Sequence, residues 1–162
     1  MTMRLPWQPT AKVPEPGTLR PKLVVLASEG RPISTPAAQL AARLARQGGG
    51  HVKVLTIARI WGSALGLPHP GLRPTKAEWQ AQRDIVEAAI KQLEGDGANA
   101  TGEVLGSRNA AKAIVRHASA VGAGAIVMTA DTEPHWIRRG LLWSHLPHIV
   151  ARSTPIPVYL TS

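Results

Sequence analysis

Apolar positions along this chain change their spacing from one segment to the next. From Lys22 to Ala27 (KLVVLA) they run without a break, the pattern of a strand buried on both faces. His51–Ile57 (HVKVLTI) reads as a second strand and Ala125–Met128 (AIVM) as a fourth, Thr101–Leu105 (TGEVL) is a weaker third strand, and Val158–Leu160 (VYL) is a last one. Between the strands the spacing shifts to three and four. Ala37, Leu40, Ala41 and Leu44 make one helical stripe; Trp79, Val86, Ile90 and Leu93 a second; Ala110, Ile114, Ala118 and Val121 a third. Thr35 followed by Pro36 predicts an N-cap and a first helical position, Thr75 with Glu78 predicts a capping box, and Asn109 predicts a cap for the third helix. Gly48–Gly50, Gly95 and Gly122 are expected to stop these helices, and a fourth helix is expected near 144–152. The order β-α-β-α-β-α-β-α-β predicts an α/β fold: a single doubly wound five-stranded parallel sheet with helices on both faces.

Two stretches lack such periodicity. Residues 1–20 hold Pro6, Pro9, Pro14 and Pro16 and read as a Pro-rich flexible or surface-draped tail, with Trp7 able to pin it, ahead of a domain over 21–162. Residues 58–74 form a Gly- and Pro-rich loop longer than the usual two to six residues of such connections. With 162 residues and 44% hydrophobic content, the chain is large enough for one full core. No apolar run reaches the roughly 18 residues of a membrane span, and the N-terminus lacks the apolar stretch of a signal peptide. Without cysteine there are no disulfides, thiolate metal sites or thiol catalysis, which fits a reducing cytoplasm, the expected location. The net charge of +9 favours anionic partners. Its cations are scattered, and with one tyrosine and no phenylalanine there is little to stack bases, so nucleic acid is not an expected partner.

Chemistry is expected where strand ends meet helix starts, because helix N-termini attract anions there. Glycine-rich dinucleotide and Walker-type phosphate loops are both absent, and Ser28 in Ala27-Ser28-Glu29-Gly30 does not sit in a nucleophile elbow. His145 and His148 are spaced to share a helix face but fall short of the three or four ligands of a zinc site, so no metal is expected. His69 reads as a loop residue and His117 as a helix-surface residue.

Several stretches together resemble the universal stress protein family, a branch of the adenine-nucleotide α-hydrolase-like folds. They are Lys22-LVVLASEG, PAAQLAARLAR, VKVLTIA, Asn109-AAKAIVRHASAVGAGAIVMT and Ser153-TPIPVYL. The resemblance covers residues 22–162 and is poorest over 58–74. It implies a nucleotide site at four points: an Asp ending the first strand, a small apolar residue ending the second, a Gly-x-x-Gly after the fourth, and a Gly-Ser or Gly-Thr opening the last helix. Carried onto this chain, the candidate residues are Ala27, Ser28 and Glu29, then Ile57, then Met128, Thr129, Ala130 and Thr132, then Arg138, Arg139, Trp143, Ser144 and His145. Ser28 replaces the Asp, and Thr129 and Thr132 replace both glycines, next to Asp131 and Glu133. β-Branched side chains disfavour the backbone that glycine allows, and a carboxylate facing phosphate is repelled by about 1 kcal/mol at 4 Å even in water. The final glycine is missing whether Trp143-Ser144 or Ser144-His145 is placed on it.

Two readings of the site follow. Either it is closed or repurposed, or Arg138, Arg139, His135 and His145 replace the amide cradle with side-chain cations. Trp61, Trp136 and Trp143 likewise fit either a lid over a ligand or a plug in an empty cleft. The expected function is a non-catalytic regulatory or binding module with lost or weakened ATP binding. The alternative is an ATP- or AMP-binding stress switch with residual hydrolysis or autophosphorylation. ATP and AMP are accordingly the only cofactors in view, and a small anion or nucleotide the expected ligand class. A basic adaptor for a membrane transporter or an acidic partner has only the charge and the Pro-rich tail in its favour. The resemblance further implies a homodimer through the last strand, with Val158, Tyr159 and Leu160 as candidate interface residues.

Overall fold

A computed structural model describes residues 13–60, 73–130 and 146–161. The chain forms β1 (Leu23–Ser28), α1 (Thr35–Gly48), β2 (His51–Arg59), α2 (Lys76–Gly95), β3 (Asn99–Ser107), α3 (Ala110–Ala120), β4 (Ala125–Thr129), α4 (Leu146–Ser153) and β5 (Val158–Thr161). All strand pairings are parallel, in the order β3-β2-β1-β4-β5. This is the expected doubly wound α/β sheet.

Successive residues of a strand face opposite ways, and the two faces carry separate cores. Val24, Leu26, Val52, Val54 and Val127 pack with α1 and α2, around Leu44 and Leu93. Val25, Ala27, Leu55, Ile57, Ile126 and Met128 pack with α3 and α4, around Ile114 and Val150. Burial on both faces explains why β1 and β4 read as unbroken apolar runs. Because α1 is lined with alanine, it lies close against the sheet, with Ala37, Ala38, Ala41 and Ala45 all fully buried.

Local punctuation follows the sequence with three corrections. The N-cap of α1 is Ser34, whose hydroxyl accepts from the Ala37 N–H; Thr35 and Pro36 are already helical. Gly95 is the last residue of α2, and the reversal falls at Gly97, which takes a φ of +78°. The third strand runs nine residues, from Asn99 to Ser107, because each one pairs with β2. Only half-buried at the sheet edge, it needs few apolar residues, which hid its length. The Thr75–Glu78 capping box and the Asn109 cap form as expected.

At the other edge, Tyr159 of β5 is buried and donates its hydroxyl to the Pro14 carbonyl at 2.7 Å. Leu19 packs against the same core, so residues 14–19 lie along the domain. Among the described residues no helix is long and apolar enough to cross a membrane.

Candidate functional site

Strand order reverses direction between β1 and β4. The chain leaves β1 toward one face, into α1, and returns to β5 through α4 on the other. In open parallel sheets such a switch point leaves a crevice beyond the strands' carboxyl ends, where ligands bind. Ala27, Ser28, Glu29, Ile57, Met128, Thr129 and Ala130 all lie at this edge, so the structure gathers these sequence-derived candidates. Thr132, Arg138, Arg139, Trp143, Ser144 and His145 lie outside the described residues, as do Trp61, His135 and Trp136.

The side chains here are largely engaged with the protein itself. Ser28 donates its hydroxyl to the Arg31 carbonyl at 2.6 Å and accepts from the Arg31 N–H at 3.1 Å. This closes a tight turn that passes through Gly30, at a φ of +103°. Glu29 is buried with its carboxylate 3.7 Å from the Arg59 guanidinium at the end of β2. Ala27, Ile57 and Met128 are at most 2% exposed and so present almost no surface to an adenine ring.

Thr129 and Ala130 matter most. The Thr129 hydroxyl donates to the Ser34 hydroxyl at 3.1 Å, and the Ser34 N–H points at the Thr129 oxygen at 3.4 Å. The end of β4 is thereby tied to the N-cap of α1 across the crevice. The Ala130 N–H donates to the Thr161 carbonyl at 2.6 Å and extends the β4–β5 ladder by one bond. A phosphate cradle uses N–H groups free of other partners. The first such group after Thr129 is already committed. Among the described residues no non-glycine residue takes a positive φ, so Thr129 sits in ordinary extended backbone without strain.

Sequence reasoning missed Ser34 and Arg59. The Ser34–Thr129 bond joins residues 95 apart, and no local pattern announces it. His117 is also corrected: its side chain is 13% exposed and faces Glu103 at 3.7 Å, on the inner side of α3. His148 is exposed on α4, and no group of three metal-ligating side chains occurs among the described residues.

A sequence model described as the universal stress protein family matches residues 21–162. No curated protein sequence matches the chain. Among solved structures, a universal stress protein from Archaeoglobus fulgidus superposes with a TM-score of 0.65 at 21% identity, covering 90% of this chain and 96% of its own. The universal stress protein from the same organism in complex with dAMP gives 0.63 at 23% identity, with coverages of 86% and 96%. A universal stress protein in complex with cAMP gives 0.60 at 20% identity, with coverages of 86% and 95%.

Proposed function

The chain belongs to the universal stress protein family, and from that premise we propose that it is a non-catalytic, homodimeric regulatory module, cytoplasmic, whose ATP binding is lost or strongly weakened. The observation that carries this reading is the closure at the end of β4. Thr129, standing where the resemblance puts the first glycine, spends its hydroxyl on Ser34, and the next N–H is bonded to Thr161. Ser28 supports it too, since its only hydroxyl is taken up by Arg31 and no carboxylate is present there for a ribose. In this reading residues 21–162 are the module, residues 1–20 its appended tail, and Val158, Tyr159 and Leu160 of the edge strand β5 contribute to the dimer contact.

Mass spectrometry of ligand released from the purified chain tests it. The expected result is no stoichiometric nucleotide, together with no thermal shift in millimolar Mg-ATP. ATP or AMP recovered near one per chain would overturn the lost-site reading, and a strictly monomeric mass by light scattering would overturn the dimer.

A second reading has one observation in its favour. Two neighbours of the same fold were solved with dAMP and with cAMP, which carry a single phosphate. A nucleoside monophosphate brings less charge toward Glu29 and the acidic residues after β4 than ATP does. On this reading AMP-class ligands stabilise the chain while Mg-ATP does not, and the same thermal-shift series separates the two.

A further inference from the structure

The sheet's other edge is built differently from β5. β3 runs nine residues, longer than the usual five to six, and among the described residues its outer side has no strand beside it. Thr101, Gly102 and Gly106 are exposed along it, with Val86 and Ile90 of α2 lying over Gly102 and Trp79 over Gly106 on the α2 face. Such an edge offers a row of unpaired N–H and C=O groups to another strand.

Grooves flank this edge on both faces. One, of about 400 Å³, lies against α2 and is lined by Trp79, Val86 and Ile90 with Arg83 and Glu87. The other, of about 460 Å³, lies against α3 and is lined by Leu105, Ser107, Lys112, Arg116 and His117. The α3 groove is basic by construction. α3 contains no acidic residue, and Lys112 and Arg116 stand one turn apart on its exposed surface. Neither cation has a carboxylate partner among the described residues. Glu103 on β3 is held by Lys53 at 2.9 Å and faces His117 at 3.7 Å rather than either of these cations.

We propose that β3 and the groove beside α3 take an acidic, extended peptide segment of a partner protein as a sixth strand, with its carboxylates on Lys112 and Arg116. The strand edge supplies main-chain bonds and the groove supplies the side-chain preference, the two parts of recognition by strand addition. Charge selects the occupant. A second copy of this chain carries +9 and brings the same two cations to the contact. A nucleic acid finds no aromatic ring in the α3 groove on which to stack a base.

The test titrates a fluorescein-labelled decapeptide of alternating Glu and Val with the full chain, read by polarisation and by amide hydrogen exchange. Expected are saturable binding that weakens with salt, and slowed exchange confined to residues 99–107. The double variant Lys112→Glu/Arg116→Glu, both at exposed positions, is expected to bind at least about tenfold more weakly. A Lys–Val peptide and a fully N-methylated Glu–Val peptide are expected not to bind. Unchanged affinity in the double variant, equal binding of the N-methylated peptide, or protection at β5 or at the crevice would each overturn the proposal. So would tighter binding of an oligothymidylate than of the peptide, or β3 amides already protected in a concentration-dependent dimer of the free chain.

Discussion

The bond between Thr129 and Ser34 can be isolated by a double-mutant cycle. Thr129→Val keeps the branched shape and volume and removes the hydroxyl that donates to Ser34 at 3.1 Å; the same oxygen accepts from the Ser34 N–H at 3.4 Å, a length at which the contact adds little. A partly buried bond of this kind contributes about 1 kcal/mol. Ser34→Ala removes the same bond and also the cap on the Ala37 N–H, at 3.3 Å, which adds about 1 kcal/mol more. The single variants are therefore expected to lose about 1 and about 2 kcal/mol. The double variant is expected to lose about 2 rather than about 3, since the shared bond is lost only once. In a chain of this size 1 kcal/mol shifts the melting temperature by roughly 2–4 °C. Urea unfolding at constant m-value reads the four corners of the cycle. Independent sites add to within about 0.3–0.5 kcal/mol. If the two costs add within that margin, the strap across the crevice carries no energy and the closure argument loses its main support. A companion variant probes ligand access: Thr129→Gly removes the strap but leaves the Ala130 N–H bonded to Thr161. It is expected to be destabilised and still show no thermal shift with Mg-ATP.

Three further outcomes are expected. Gly102→Ala puts a Cβ into the Val86 side chain, so α2 and β3 must part, and urea unfolding is expected to show a loss of about 1–3 kcal/mol. Tyr159→Phe removes the bond to the Pro14 carbonyl and is expected to cost about 1 kcal/mol. Burial holds the Tyr159 phenol above its ordinary pKa. Its contribution is therefore full below about pH 10 and is lost as pH rises through the raised value, so the Phe variant should flatten the alkaline limb of melting temperature against pH. Glu103 lies below its ordinary pKa, first through the Lys53 hydrogen bond and then through the charges of Lys53 and His117, against some desolvation. That stability is present above about pH 4.3 and lost as pH falls through the lowered value. Because Glu103 is 38% exposed, Glu103→Gln is expected to cost less than about 1 kcal/mol at neutral pH and to weaken the acid limb of the same curve.

The fold was legible because its signals are local. Unbroken runs such as LVVLA and AIVM, too short for helices and flanked by turn residues, read as doubly covered strands, and the Thr75–Glu78 box writes a helix start into four residues. Where sequence reading slipped, a tertiary contact decided the matter. β3 is long because all nine residues pair with β2, whatever their own weak pattern says. Ser34 outranks Thr35 as cap because its hydroxyl also meets Thr129 from the neighbouring side of the crevice. The candidate site was half legible. The family resemblance placed Ser28, Thr129 and Ala130 at the strand ends, but the hydrogen-bond partners of Thr129 and Ala130 come from the α1 cap and β5, far away in the chain. His117 read as a surface residue because helical spacing gives a face and cannot say that β3 brings Glu103 against it.

On the proposed lost-site reading, these partners hold the parallel α/β sheet in shape without a bound phosphate. A phosphate cradle leaves N–H groups unbonded until the ligand arrives, and an unpaired, water-poor N–H costs on the order of 1–3 kcal/mol. A chain without the ligand gains by giving those groups partners of its own. Here the β4–β5 ladder extends by one bond to take the Ala130 N–H, and a hydroxyl in place of a glycine joins β4 to the cap of α1. Both bonds stabilise the ligand-free chain, and in the lost-site reading proposed above both oppose a triphosphate. The β3 edge is the converse case. Among the described residues its outer main-chain groups have no strand partner, and Lys112 and Arg116 beside it have no carboxylate partner. If unpaired main-chain groups mark where a fold still expects company, binding in this protein belongs at β3 rather than at the crevice, and exchange protection on adding the acidic peptide discriminates directly between the two edges.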